Sequence, residues 1–240
     1  MADPPNPPKR VLILAPMLSE LRPIVKKLSL KRSHNASTSQ FHTGLAGTVA
    51  VSAAPAGVGP AAAARATAKV LDSIEVDHVI VCGIAGAIDP RCPIGKVFVP
   101  AVVIDGDSGI ELHPTGWTGL TLSGTIMTTS TLLTEPAPIG ELVAKGVVAL
   151  EMEGAGVGRV CEQRGIPWTM FRSISDRAGD GGVDDSVLAM LNEDGSTNAK
   201  AAIVHILGHP GSLPKLIKLA KNSTFAANTA ADAAISALKE

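Results

Sequence analysis

Three short apolar runs, Val11-Leu12-Ile13-Leu14-Ala15, His78-Val79-Ile80-Val81-Cys82 and Val147-Val148-Ala149-Leu150, with a further strand read at residues 168–173, limit what this chain can fold into. A strand with one wet face alternates apolar and polar residues, whereas a continuous run belongs to a strand covered on both faces, as in a sheet held between helices. The intervening stretches supply those helices. Leu21, Ile24, Val25 and Leu28 recur at helical spacing after a candidate cap at Ser19, and that segment closes near the basic residues 26–32. Pro60 opens an Ala-rich helix to about Asp72, and another helix covers about residues 153–164. The end of the chain, from about Asp185, reads as helices broken at Gly208-His209-Pro210-Gly211 and closing with an Ala-rich helix to Lys239. Further strands are predicted at 41–43 and 48–53, joined through Gly44-Leu45-Ala46-Gly47 as a hairpin, and at 96–104 and 124–128. Strands alternating with helices predict an α/β fold: a three-layer α/β/α sandwich with a central mixed sheet, in one domain over residues 10–240 behind a flexible Pro-rich tail at 1–9. Ligands of such sheets sit at the carboxyl ends of the strands.

With 240 residues and 45% hydrophobic content, the chain can bury a large core. Lys and Arg total 21 against 22 Asp and Glu, and no basic run alternates with aromatics, which argues against nucleic acid as a partner. Tyr is absent, with only 4 Phe and 2 Trp, so a stacking platform for a base has few side chains to draw on. Cys82, Cys92 and Cys161 lack metal-ligand spacing and read as thiols in a reducing compartment. The Pro-rich start has no apolar segment ahead of a cleavage site. The uncharged residues 44–64 are mostly Ala and Gly and are broken by Pro55 and Pro60. Neither a secretion signal nor a membrane span is therefore predicted, and the cytoplasm is the expected location.

The positions that can carry chemistry lie at predicted strand ends. Gly57-Val58-Gly59, ahead of a helix, is either an anion-binding turn or a purely structural one. In Gly83-Ile84-Ala85-Gly86, read as a turn leaving a buried strand, the small residues let a ligand approach the backbone or simply make a tight exit. Glu151 and Glu153 stand where a buried strand turns into a small-residue helix. Charge at that depth needs a partner, either a structural cation or a substrate hydroxyl. Two apart across a turn, they need not point the same way; one is expected to be structural, with Glu153 favoured for ligand contact. The strand at 168–173 leads into Arg172, Ser175 and Asp176, and Asp176 is either a general acid with a raised pKa or a cap for the next turn. Glu20, just past the first strand, is either a base acting on water or a solvated first-turn glutamate. Three acidic positions thus converge on one edge of one sheet.

Taken together, Ala15-Pro16-Met17 with Glu20, Gly57-Val58-Gly59, Gly83-Ile84-Ala85-Gly86 with Ile94-Gly95-Lys96-Val97, Leu150-Glu151-Met152-Glu153 and Arg172-Ser173-Ile174-Ser175-Asp176 resemble the nucleoside phosphorylase/hydrolase superfamily, most closely its 5'-methylthioadenosine/S-adenosylhomocysteine nucleosidase branch. The resemblance implies that Asp176, supported by Ser175, protonates or hydrogen-bonds the purine at N7. It implies that Met152 and Glu153 grip the ribose, Glu153 through its hydroxyls, and that Glu20 activates water placed with the help of Arg172. Ile84, Ala85 and Gly86 would line the substrate. A fixed carboxylate near the sugar stabilises an oxocarbenium-like transition state while a protonated one helps the base depart, a division of labour shared with other glycosidases.

Where phosphorylases of the group carry Arg before the glycine turn and Ser inside it, this chain has Val81 and Ile84, so water is the expected nucleophile rather than phosphate. Ser130-Thr131-Leu132-Leu133 falls where the nucleosidases place a Phe against the purine, which replaces stacking by aliphatic contact from Leu132 and Leu133. Residues 105–122 also depart from the family; their His113 and Trp117 could line the pocket, sit at a subunit contact or belong to a surface loop. The resemblance further implies a homo-oligomer, a dimer favoured, with no cofactor and no metal. Two other readings remain open: phosphate-dependent phosphorolysis, and nucleoside binding without turnover.

Overall fold

The computed structural model describes residues 8–33, 41–117, 119–131, 136–178 and 213–239. In chain order its elements are β1 (Arg10–Ala15), α1 (Leu18–Lys27), β2 (Lys31–Arg32), β3 (His42–Ala46), β4 (Val49–Pro55), α2 (Pro60–Leu71), β5 (His78–Ala87), β6 (Val97–Phe98), β7 (Val102–Asp105) and β8 (Glu111–Leu112), followed by β9 (Thr125–Thr128), α3 (Pro136–Ala144), β10 (Val147–Glu151), α4 (Gly154–Gln163), β11 (Trp168–Arg177) and α5 (Leu213–Ala237). The apolar runs become central strands: Leu12 to Ala15 and Val79 to Val81 are completely buried. One face of the sheet packs Leu12, Leu14, Val79 and Val81 with Ala63 and Val70 of α2 and Ala155, Val157 and Cys161 of α4. The other packs Ile13, Ala15 and Ile80 with Leu21 and Ile24 of α1 and Ala230, Ala231 and Ala234 of α5. The expected three-layer sandwich with a mixed sheet is the observed architecture.

The sheet's branching positions the site. The path runs β2-β3-β4-β1-β5-β10-β9-β7-β8, with β11 pairing β5 and β6 off that path. β1 lies parallel to β5 from His78 to Val81, and β10 meets β5 antiparallel further on, at Gly86 and Ala87. β11 runs parallel along β5's other edge, from Val79 to Ala87. The edge shared by β1 and β10 is therefore open in between, over residues 82–85, where two neighbouring strands diverge. Such a divergence leaves backbone polar groups without ladder partners, and in α/β sheets it is where ligands bind.

Several boundaries differ from the sequence reading. Gly83-Ile84-Ala85-Gly86 is not a turn but the second half of β5, because β11 and β10 supply pairing that a local view of two glycines omits. The predicted strand at 96–104 is two strands, β6 and β7, with Pro100 between them lacking a ladder donor. α1 begins at Leu18 with Met17 as its cap, not Ser19; the Met17 amide donates to Glu20 Oε2 at 2.8 Å, so the glutamate satisfies the helix entry from within. Strand residues replace the expected loop at Gly44-Leu45-Ala46, although the hairpin itself forms, with β3 antiparallel to β4. Sequence reading missed α3, β2 and β8. No helix of the described residues is long and apolar enough to cross a membrane.

Trp117 and His113 lie away from the open edge of β5. The Trp117 indole meets His78, at the start of β5, edge-on with centroids 4.7 Å apart, and its Nε1–H donates to Ala237 O at 2.7 Å. His113 is exposed, and its amide donates to Glu162. Neither lines this chain's carboxylate cluster. Thr169 Oγ1 donates to Thr115 O at 2.8 Å and sits 2.8 Å from His78 Nε2, so the hydroxyl accepts the proton carried on Nε2.

Burial pushes the His78 pKa from 6.5 down to about 4. Between those values the unfolded chain binds the proton and the folded one does not. Stability linked to His78 is therefore intact above pH 6.5 and is lost as pH falls towards 4, by at most about 3 kcal/mol. Glu20 and Glu153, displaced upward, act in the opposite sense. Comparing wild type with His78→Gln isolates the imidazole: urea denaturation at pH 7 and pH 5 should show a steeper loss in wild type, and parallel losses would refute the linkage.

Candidate active site

One buried guanidinium organises the open edge of β5. Arg172 on β11 pairs in register with Gly83, and a Cβ on Gly83 would lie 2.4 Å from Arg172 Nη1 and 2.6 Å from Glu20 Oε1. Only a residue without a side chain leaves that space, which explains a glycine inside a strand. Arg172 is fully buried; its Nη2 donates to Glu151 Oε2 and, at 3.2 Å, to Glu153 Oε2, while Nη1 donates to Ile84 O at 3.3 Å.

The carboxylates around Arg172 have different surroundings. Glu151 accepts the amides of Glu153 at 3.0 Å and Gly154 at 2.8 Å, together with the Thr128 hydroxyl, which itself accepts the Ala155 amide at 2.8 Å. Its acceptor capacity is filled by the protein, which makes it the structural member of the pair. Glu153, just ahead of α4, is held more sparsely: Oε1 accepts the Gly59 amide at 3.1 Å and Oε2 the Arg172 guanidinium. Gly57-Val58-Gly59 therefore does present an amide to an anion, and the anion is the chain's own Glu153. Glu20 Oε1 accepts the Ile84 amide at 2.8 Å, at the stretch of β5 that neither β1 nor β10 covers.

Glu20, Glu151 and Glu153 are all at least 95% buried around one cation, an imbalance that favours keeping a proton. Burial pushes Glu153 up to about 8, opposed by Arg172 and reinforced by Glu151 and Glu20. Burial likewise raises Glu20, opposed by Arg172 and by the Ile84 and Met17 amides.

Asp176 lies further along the same strand pair. A bulge after Ile174 brings Asp176 opposite Gly86, where a Cβ would sit 3.1 Å from Asp176 Oδ2. The buried Ser175 hydroxyl donates to Asp176 Oδ1 at 2.6 Å. Asp176 itself is half-buried. Ile84, whose amide holds Glu20, and Gly86, which faces Asp176, are two residues apart along β5, roughly 7 Å of strand. Half-buried Ile84 and Met152 and buried Ala85 complete the described surroundings. Leu132 and Leu133 lie outside the described residues. The structure thus brings Glu20, Arg172 and Glu153 together and sets Ser175 and Asp176 beside them. Sequence reading missed Thr128, and it offered the Gly57-Val58-Gly59 turn to an anion without naming Glu153 as that anion; both are joined to the glutamates only by folding.

Two open clefts lie elsewhere. One of about 650 Å³ runs between α1 and the β2–β3 hairpin, and one of about 360 Å³ lies beside Cys92 and Val148. Neither contains the buried charges, which mark the chemistry more specifically than an open groove does. Among the described residues no group of His, Cys, Asp or Glu is arranged to hold a metal.

The fold and this cluster define a nucleoside phosphorylase-like site, and residues 10–121 and 111–207 match the family model described as the phosphorylase superfamily. The chain belongs to that superfamily. Among curated relatives, the 5'-methylthioadenosine/S-adenosylhomocysteine nucleosidase of Colwellia psychrerythraea (strain 34H) is 28% identical over 202 residues, covering 70% of this chain and 83% of the relative. The same-named protein of Maridesulfovibrio salexigens is 25% identical over 228 residues, 82% of this chain and 98% of the relative. The solved Colwellia psychrerythraea nucleosidase with adenine superposes with a TM-score of 0.71 at 22% identity, covering 96% of this chain and 95% of that one. Futalosine hydrolase of Helicobacter pylori shares the fold with a TM-score of 0.69 at 18% identity, over 96% of this chain and 97% of that one.

Proposed function

We propose that this chain hydrolyses the N-glycosidic bond of a purine nucleoside of the adenosine or 5'-modified adenosine type, releasing free base and the ribose moiety. The observation that carries this reading is the placement of Glu20 and Asp176 two β5 residues apart, with Arg172 and Glu153 beside them. A nucleoside lying across the end of β5 would present its base to Asp176 and its anomeric carbon towards Glu20. Asp176, backed by Ser175, would assist departure of the base at N7, and Glu153 would accept the ribose hydroxyls. Glu20 would take a proton from the attacking water as its oxygen bonds to the anomeric carbon, with Arg172 helping to place that water. Ile84, Ala85, Gly86 and Met152, with Leu132 and Leu133, would form an aliphatic lining.

Water is favoured over phosphate by the groups at the open edge. Val81 is buried in the core, Ile84 offers an apolar side chain, the Ile84 amide already serves Glu20, and the Arg172 guanidinium is already bonded to Glu151 and Glu153, so a phosphate would have to displace a carboxylate from each donor it needs. The futalosine hydrolase likeness leaves the 5' substituent broader than methylthio. A homodimer working in the cytoplasm is part of the same proposal, and light scattering on the purified protein tests the dimer.

The deciding experiment follows base release from adenosine, inosine, guanosine, 5'-methylthioadenosine, S-adenosylhomocysteine and futalosine, with and without phosphate. Release independent of phosphate, strongest for a 5'-modified nucleoside, is expected. Release only with phosphate, yielding ribose 1-phosphate, would replace hydrolysis by phosphorolysis, and tight binding without release would leave a nucleoside-binding protein.

A further inference from the structure

The loop between β4 and α2 supplies one donor to the carboxylate cluster, and a single glycine of α4 sets the loop's distance from it. The loop is tied to the exit of β1 by the Ala56 amide, which donates to Ala15 O at 2.8 Å, and by the Gly57 amide, which donates to Pro16 O at 3.1 Å. Gly57 and Gly59 have φ of 80° and 90°, which only glycine adopts without strain, and they bring the chain round so that Pro60 opens α2. At that point the Gly59 amide donates to Glu153 Oε1 at 3.1 Å. The first turns of α2 and α4 meet backbone to backbone here: a Cβ on Gly156 would lie 2.1 Å from Pro60 O and 2.9 Å from Pro60 C. Gly156 stands three residues beyond Glu153, so the same contact that seats Pro60 seats the amide before it against the carboxylate.

We infer that the Gly59 amide, held by the Pro60–Gly156 contact, is a positioning group that fixes the Glu153 carboxylate in the orientation needed to accept the two ribose hydroxyls. Gly59 on Oε1 and Arg172 on Oε2 hold the two oxygens from different elements, so the carboxylate cannot turn about its last bond without breaking one of the contacts. An adjacent diol is a two-point target, and a carboxylate whose plane is fixed before binding loses less freedom on meeting it. The role towards ribose rests on the hydrolase reading; the amide–carboxylate latch does not.

The test has two arms. In nitrogen-15 NMR spectra of the wild-type protein, the Gly59 amide proton should shift with pH as Glu153 ionises, near pH 8. Glu20, Glu151 and Arg172 also face Glu153, so Glu153→Gln serves as the control and should leave the Gly59 signal flat through that range. A Gly59 amide proton whose chemical shift is the same in wild type and Glu153→Gln at every pH from about 5 to 9, or that titrates equally in both, overturns the latch without any substrate and without the second variant. In the kinetic arm, the Cβ of Gly156→Ala must displace Pro60 by about 1 Å, which should lower kcat/KM for 5'-methylthioadenosine roughly 10²-fold. For 3'-deoxy-5'-methylthioadenosine, where one of the two contacts is missing in both proteins, the loss should shrink to a few-fold. Equal losses on both substrates would mean that Gly156 acts on the fold alone and would overturn the positioning role. If wild type releases no base while the Gly59 signal titrates as expected, the hydrolase reading fails and the latch stands.

Discussion

Replacing Arg172 by methionine is expected to lower the unfolding free energy by about 3–5 kcal/mol at pH 8, the usual consequence of removing one partner from a buried charge network. The side chain is fully buried and is the cation shared by Glu151 and Glu153, and it opposes the upward displacement of Glu20. Methionine fills much of the volume, so the cavity contribution is small and the loss reports the carboxylates left without a cation. The pH dependence separates this cause from simple repacking. Protonation relieves the repulsion among the three acids, so the gap between wild type and Arg172→Met should narrow as pH falls from 8 to 5. Arg172→Lys restores one charge but not the fork that reaches both glutamates, and should fall between the two. Urea denaturation of the three proteins at both pH values checks this. A loss under 1 kcal/mol, or a gap insensitive to pH, would show that the cluster is already neutralised by protons and that Arg172 is not its stabiliser.

That cluster also marks the boundary of what the linear sequence discloses. The covered strands were legible because burial on both faces leaves an unbroken apolar run, and Val11 to Ala15 and Val79 to Val81 are such strands. The role of Glu151 was half legible. Two carboxylates at a buried strand end demand partners, but the choice between them depended on Thr128, which is 23 residues away, and on amides exposed only once α4 turns away from β10. Gly83 and Gly86 were legible as small residues and illegible as strand residues. A glycine's usual reason is a turn, whereas here the missing side chains make room for Arg172, Glu20 and Asp176. Trp117 shows the same limit. Its segment reads as pocket lining, a subunit contact or a surface loop, and only the fold shows the ring packed on His78, at the far end of β5. Local patterns report burial well because burial acts on each residue separately; they report a site poorly because its partners meet only in three dimensions.

The other large effect expected is loss of turnover in Asp176→Asn and Glu20→Gln, each by roughly 10²–10⁴-fold in kcat, the range contributed by a positioned acid or base. Both substitutions keep the shape of the side chain and remove its ability to exchange a proton, so circular dichroism spectra and melting temperatures close to wild type should accompany the loss. The two proposed roles predict different rescues. A ribosyl substrate whose leaving group departs without protonation, such as 4-nitrophenyl riboside, makes an acid at Asp176 unnecessary, and much of the deficit of Asp176→Asn should disappear on it. Glu20→Gln should remain impaired on the same substrate, because water still needs a base whatever the leaving group. The pH profile supplies the second discriminator. Burial holds Glu20 above the ordinary carboxylate range, and a base works only when ionised. Wild-type kcat/KM should therefore climb with pH on its acid limb, and that limb should vanish in Glu20→Gln. Equal deficits of the two variants on the nitrophenyl substrate would remove the division of labour between them, since a carboxylate that only shapes the pocket has no reason to favour one leaving group over another.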